Sequence, residues 1–278
     1  MSLTVGSGPF GHDPAGEFNV EIPTERILLF EPFPRRMRAS AAGERVLDSR
    51  GGRLLYEHGV RPRCYFPRAD VRMDLLERTD EVSESALKGR TVHWRLRIGD
   101  HVVEDAAISH PEPPEDAPAL EDYIAPRWAA MDEWLEEDDV AVGHVRDPYH
   151  RVDVLPSSRH VIVRIGDEVL AESRRARVIY ETGLPPRWYV PVEDVVAELR
   201  PTELETVCAY KGFANYWAVR AGDDAHVNLA WTYREPLHDA AAVADHVAFF
   251  NERVEIQIDG EVEPPVRTPW SNPDWWKA

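Results

Sequence analysis

Residues 49–75 read SRGGRLLYEHGVRPRCYFPRADVRMDL, and residues 173–199 read SRRARVIYETGLPPRWYVPVEDVVAEL. The two stretches align without a gap. Ser49, Arg53, Tyr56, Glu57, Gly59, Arg63, Tyr65, Pro67 and Asp70 recur as Ser173, Arg177, Tyr180, Glu181, Gly183, Arg187, Tyr189, Pro191 and Asp194. Pro fixes φ and Gly permits turns closed to other residues, so their recurrence in register marks one folding unit used twice. After a slip of one residue the match resumes: Lys88-Gly89 with Lys211-Gly212, Trp94 with Trp217, Ala107 with Ala230, and Glu112-Pro113 with Glu235-Pro236.

Outward from this match, the 278 residues divide into a Gly/Pro-rich leader (1–23, expected to be mobile), a first repeat (24–147), a second repeat (148–263) and a Trp-rich tail (264–278). Each repeat is long enough to bury its own core. The local pattern is mainly strand. Arg53–Tyr56 and Arg177–Tyr180 are short strands that turn at Gly59 and Gly183. Thr91–Ile98, Gly99-Asp100 and His101–Ser109 form a hairpin signature, repeated by Asn215–Arg220, Gly222-Asp223 and His226–Tyr233. Ala240, Val243, Ala244, Val247 and Phe250 follow a helical spacing, and Leu120 to Leu135, kinked at Pro126, stands in the same place in the first copy. The expectation is α+β but mainly β: two tandem domains, each of antiparallel sheets with one main helix.

The formal net charge is −18, which argues against general affinity for nucleic-acid phosphates. From Glu104 to Asp139, Arg127 is the sole Lys or Arg. Such a run is either a solvated acidic face or an acidic rim facing a basic cleft in the same domain. No apolar run reaches the length of a membrane span, and residues 1–16 lack the basic and apolar segments of a signal peptide. A cytoplasmic location is expected, without membrane or nucleic-acid partners. Cys64 and Cys208 lie at non-equivalent places and form no CxxC motif, so free thiols and no metal or other cofactor are expected. The eleven histidines show no ligand spacing and read as surface or locally bonded side chains.

The second copy carries E-T-G-L-P-P-R-W-Y-V-P-V-E-D-V (181–195), C-A-Y-K-G-F-A-N-Y-W (208–217), A-W-T-Y-R-E-P (230–236) and D-H-V-A-F-F (245–250). With these blocks the chain resembles the family called domain of unknown function 427, in which tandem copies are familiar. The family more often has Pro where Ala209 stands. The first copy departs further, with Ser85-Ala-Leu-Lys-Gly89 and Ile108-Ser-His110 in place of Cys208-Ala-Tyr-Lys-Gly212 and Trp231-Thr-Tyr233. The resemblance implies a β-tent fold: two antiparallel sheets meeting at an angle. That fold is shared with methionine sulfoxide reductase B and the thalidomide-binding domain of cereblon, which pin it with cysteine-bound zinc. The cysteines for such a pin are missing here. A nucleotidyltransferase label sometimes attached to the family finds no Gly-Ser and paired-aspartate strand in this chain; Gly6-Ser7-Gly8 lies in the leader.

Three groups of residues invite chemistry. Glu57 and Glu181 each stand before a turn, as substrate-orienting bases or as carboxylates paired to the turn or to Arg63 and Arg187. Tyr65 and Tyr189 are core or pocket wall. Lys88 and Lys211 precede a turn Gly. Around Lys211 gather Cys208, Tyr210 and Tyr216, which suits an anion site or an activated thiol, or else a packed turn. The leading expectation is a small anionic or aromatic molecule bound in a cleft of the second repeat by Glu181, Arg187, Tyr189, Lys211, Tyr216 and Trp231. The catalytic candidates are Cys208, Glu181 and Lys211, should the chain be a transferase. A scaffold in which the two copies and the Trp-rich tail bind another protein is the third reading. Oligomeric state is open.

Overall fold

A computed structural model describes residues 3–272. The chain divides into two compact units, Met1–Tyr149 and His150–Ala278. The first contains β1 (Leu28–Pro32), β2 (Met37–Ala41), β3 (Glu44–Ser49), β4 (Arg53–Glu57), β5 (Val60–Pro67), β6 (Leu76–Ser85), β7 (Gly89–Ile98), β8 (His101–Glu112), β9 (Tyr123–Pro126), β10 (Glu133–Glu136) and β11 (Asp139–Val140). The second contains β12 (Val152–Pro156), β13 (Val161–Ile165), β14 (Glu168–Ser173), β15 (Arg177–Glu181), β16 (Arg187–Pro191), β17 (Leu199–Cys208), β18 (Gly212–Ala221), β19 (Asp224–Tyr233), β20 (His246–Phe249), β21 (Glu255–Ile258) and β22 (Glu261–Val262).

Both units use one topology. A seven-stranded sheet runs β1-β4-β5-β9-β8-β7-β6 in the first and β12-β15-β16-β20-β19-β18-β17 in the second. A four-stranded sheet runs β11-β10-β2-β3 and, in equivalent order, β22-β21-β13-β14. The pairings are antiparallel. Among the described residues, no helix is long and apolar enough to cross a membrane.

The repeated residues are those the topology needs. Ser49 Oγ donates to Asp70 Oδ2 at 2.6 Å, and Ser173 Oγ to Asp194 Oδ2 at 2.6 Å. Gly59 and Gly183 both take φ +72° in the turn after Glu57 and Glu181, a conformation that disfavours any Cβ. The Lys-Gly pairs have a backbone cause as well. Gly89 and Gly212 have φ of +70° and +94°, and a Cβ there would meet the carbonyl oxygen of Glu112 at 2.7 Å or of Glu235 at 3.3 Å.

Strand alternation gives the larger sheet two different faces. Leu54, Tyr56, Cys64, Phe66 and Ile124 point into a core shared with Met37, Ala39, Val46, Leu47 and Trp134 of the smaller sheet. Leu55, Tyr65, Ile108 and Ala125 belong to a separate cluster on the opposite face, with Leu120. In the second unit that opposite face carries Tyr189, Tyr216, Trp231, Tyr233 and Phe250.

The expected main helix is not formed in either unit. His238–Val243 is a short 3-10 helix, after which the chain extends into β20. Ala240 and Val243 are buried by that short turn, whereas Val247 and Phe249 face the inter-sheet core from a strand paired with β16 and β19. Long-range pairing overrode a local helical spacing that only part of the segment needed. In the first unit Pro126 ends β9 rather than kinking a helix, because it lacks the N–H a continuing ladder requires. The following Trp128–Ala130 is a single 3-10 turn before β10.

The leader, expected to be mobile, is tied to the first unit. Gly59 N donates to Thr4 O at 2.7 Å, Thr4 Oγ1 to Val60 O at 3.0 Å, and His58 Nε2 lies 2.8 Å from His12 Nδ1. At the other end, Trp270 packs on the Phe250 face of the second unit. Trp275 and Trp276 lie outside the described residues.

Candidate functional site

The Glu that ends the fourth strand of each repeat meets the Lys of the Lys-Gly turn. Glu57 pairs with Lys88, and Glu181 with Lys211. The alternative partners Arg63 and Arg187, six positions on, are not used, although Arg63 stands opposite Leu55 and Arg187 opposite Ile179, on the same sheet face as the glutamates. The two pairs differ in burial. The side chains of Lys211 and Glu181 are each 8% exposed, against 13% for Lys88 and 24% for Glu57. His150 Nε2 stands 3.1 Å from Glu181 Oε1, and its ring stacks on Tyr210 at 4.0 Å. Burial pushes the Glu181 carboxyl up, but Lys211 and His150 outweigh it and bring it to about 2. Burial presses the Lys211 ammonium down, and Glu181 carries it above its ordinary value.

The six expected ligand residues of the second repeat do come together, but as packing. Tyr189 OH accepts from Trp231 Nε1 at 2.9 Å; Trp231 lies 4.4 Å from Phe250, and Tyr216 stacks on Phe250 at 6.2 Å. Arg187 donates to both carboxylate oxygens of Glu252, at 2.8 and 2.5 Å, beneath the rings of Trp231, Phe250 and Trp270. Tyr189, Tyr216, Trp231, Lys211 and Arg187 are all buried. The aromatic surface that reads as a cleft from the sequence is spent on filling that space. Cys208 is half-buried at the end of β17, opposite Gly212.

The same face of the first repeat is open. A cavity of about 320 Å³ is lined by, among others, Glu57, Arg63, Tyr65, Lys88, His93 and His110. Its origin is legible residue by residue. His93, Ile108, His110 and Arg127 stand where the second copy has Tyr216, Trp231, Tyr233 and Phe250. Smaller or more polar side chains therefore leave a hollow where four aromatics meet in the other copy.

The lining is cationic. Arg61, Arg63, Lys88 and Arg127 face Glu57 and Glu84. Lys88 is paired to Glu57, and Arg127 Nη2 to Asp105 Oδ2 at 2.6 Å. Among the described residues, Arg61 and Arg63 form no ion pair. His110 Nε2 is 3.0 Å from Tyr65 OH, and its Nδ1 3.2 Å from Thr91 Oγ1. Burial, then the charges of Lys88 and Arg63, push His110 down to about 4, so it is neutral near pH 7. Burial pushes the Tyr65 phenol up to about 12, so it is protonated there too.

His93 is held at both ring nitrogens. Nδ1 is 2.7 Å from Asp105 Oδ1, and Nε2 is 3.0 Å from Ser83 Oγ. Burial raises the Asp105 carboxyl, but donation from His93 and Arg127 holds it below the usual range. The alignment of the two copies marks both His93 and His110 as replacements of tyrosines, Tyr216 and Tyr233, but metal-ligand spacing gives them no role. Among the described residues, no cluster of three or more His, Cys, Asp or Glu side chains is arranged to hold a metal ion.

A comparison with curated proteins returns no match. The family model described as domain of unknown function (DUF427) matches twice, over residues 29–137 and 153–260, which fall one in each unit. The chain belongs to the DUF427 family, as two tandem copies of its domain.

Proposed function

We propose that the first repeat binds a small organic anion in its cavity, and that the second repeat is the packed, closed counterpart. The observation that carries this reading is the state of one arginine. Arg63 lines the cavity without an ion-pair partner among the described residues, whereas the equivalent Arg187 is neutralised by Glu252. A cation left facing a hollow of ligand size, beside the paired Lys88 and Arg127, suits a carboxylate or phosphate group. Tyr65, His110 and Thr91 add neutral hydrogen-bonding groups, and Leu55 and Ile108 an apolar floor. A volume of about 320 Å³ admits a molecule of roughly metabolite size. The acidic stretch from Glu104 to Asp139 does not oppose this, since Arg127 within it lines the cavity and Asp105 is bonded to His93 and Arg127.

The reading is tested by calorimetric titration of the full chain with succinate and with inorganic phosphate. Binding to the native protein that falls at least tenfold in Arg63→Gln, with an unchanged melting curve, is the expected result. Equal affinity in Arg63→Gln would overturn it.

A further inference from the structure

The hydrogen-bond chain on the cavity wall has an order that packing alone does not call for. Asp105 is held as an acceptor by His93 and by Arg127. His93 Nδ1 must therefore donate to it, and a neutral imidazole then presents a lone pair at Nε2. Ser83 Oγ stands 3.0 Å from that lone pair. The hydroxyl is thus set to give its proton to His93, while Asp105 holds the ring's tautomer and orientation.

The fold builds this arrangement from three strands. Ser83 lies on β6, the edge of the larger sheet, and pairs with Thr91 of β7. His93, two residues beyond Thr91, shares its face, so it reaches Ser83 diagonally. Asp105 sits in a bulge of β8, where the register with β7 shifts between Trp94 and Leu96 and Asp105 takes φ +50°. A bulge of this kind re-aims a side chain, here toward His93. Ser83 is exposed and Ser83 and His93 both line the cavity, so a substrate has access to the hydroxyl.

The second repeat keeps the bulge but not the chemistry. Thr206, Tyr216 and Asn228 stand at the three places, each 123 positions on: 206 − 83 = 216 − 93 = 228 − 105 = 123. Asn228 also has a positive φ, of +53°, yet it accepts from Thr202 Oγ1 at 2.6 Å, and Thr206 Oγ1 lies 2.9 Å from Tyr216 OH. The bulge is a property of the fold, and the Ser-His-Asp set is a property of the first copy alone.

We propose that Ser83 and His93 are catalytic residues, with Asp105 positioning His93, for hydrolysis of a carboxylic ester that carries a second, anionic group. Ser83 Oγ attacks the ester carbonyl carbon as its proton passes to His93 Nε2. The ester C–O bond then breaks, and Nε2 returns the proton to the leaving alcohol oxygen. Water attacks the acyl-serine, gives a proton to Nε2, and releases the acid; the proton on Nε2 restores the Ser83 hydroxyl. Asp105 stabilises the imidazolium formed in each half, and the cationic lining favours the charge that develops on the carbonyl oxygen. The ester's anionic group rests on the anion-binding reading above; the reactivity of Ser83 does not.

The test uses the full chain and two probes. A neutral fluorophosphonate, in which Ser83 Oγ displaces fluoride at phosphorus, reports the nucleophile independently of any anion site. Expected is a single adduct, mapped to Ser83 by peptide mass spectrometry and absent from heat-unfolded protein. Its rate should drop 100-fold or more in His93→Gln, the low end of what a positioned base supplies. No adduct on Ser83 in the folded wild type overturns the proposal, as does an unchanged rate in a folded His93→Gln. Should His93→Gln fail to fold, Asp105→Asn decides through steady-state kinetics on mono(4-nitrophenyl) succinate. Loss of at least tenfold in kcat with KM within twofold supports the positioning role, and an unchanged kcat overturns it. Comparison with 4-nitrophenyl acetate separates the two readings. If Arg63→Gln slows the succinate and acetate esters equally while Ser83 still labels, the anion site has failed and the nucleophile stands.

Discussion

Arg63 and Arg187 stand at equivalent positions of β5 and β16, yet only Arg187 meets a carboxylate, Glu252, which it grips through both oxygens. The side chains of that pair are 6% and 1% exposed. The position 123 residues before Glu252 is Ala129 (252 − 123 = 129), which has no carboxylate to offer. One acid-to-alanine difference thus separates a neutral, sealed arginine from a cation that faces a cavity.

Restoring the acid should close the site electrostatically. Ala129→Glu is expected to weaken succinate binding by tenfold or more, about 1.4 kcal/mol, by supplying Arg63 with an internal partner. Ala129 is exposed, so the fold should be kept. Titration calorimetry together with a melting curve checks both halves; full-strength binding in a folded Ala129→Glu variant would show that Arg63 is not the anchor.

The two Glu–Lys pairs should differ in what they contribute to stability. Lys211→Met leaves Glu181 buried beside His150 without its principal cation, and is expected to cost about 3–5 kcal/mol. Lys88→Met strands a carboxylate that already reaches solvent, so about 1 kcal/mol or less is expected. Urea denaturation of the two variants measures the difference, and equal losses would contradict it.

Acid should find the second repeat through Glu181. Its carboxyl ionises at about 2 in the fold, against an ordinary 4.5 in the unfolded chain. As pH falls, the unfolded chain takes up the proton first, so the stabilisation is complete above about 4.5 and is lost on the way down to about 2. The amount at stake is on the order of 3 kcal/mol. In Glu181→Gln, already destabilised at pH 7, the stability of the second unit should vary less with pH over that window; an unchanged dependence would show that the acid limb arises elsewhere.

Trp270 should anchor the segment after the second repeat. It lies 6.5 Å from Phe250 and its ring is 5.7 Å from the Arg187 guanidinium. Thr268 Oγ1 donates to Glu252 Oε1 in the same corner. Trp270→Ala is expected to cost about 1–3 kcal/mol through lost apolar burial and cation–π contact, less than a fully buried Trp because the ring is only half covered. A melting temperature equal to wild type would show that this contact does not hold the segment in solution.

The sequence by itself determined the architecture. Residues 49–75 and 173–199 established two copies, and their shared Gly, Pro, Ser and Asp positions are those that fix turns and brace the sheets, as with Ser49–Asp70 and Gly59. The hairpin of Thr91–Ile98 and His101–Ser109 was equally legible, because period-two alternation is a local property. The helix expected at Ala240–Phe250 was not, because β20 exists only through partners in β16 and β19 that lie far away in the chain. Tertiary structure alone decided which copy keeps a cavity. Aromatic residues such as Tyr216, Trp231 and Phe250 read alike as a pocket wall or as its filling, and only their mutual packing distinguishes the two. The partners of Arg187, Glu181 and His93 were likewise hidden: Glu252, Lys211 and the Ser83–Asp105 pair are brought to them by strand register and a bulge, which no short-range spacing encodes.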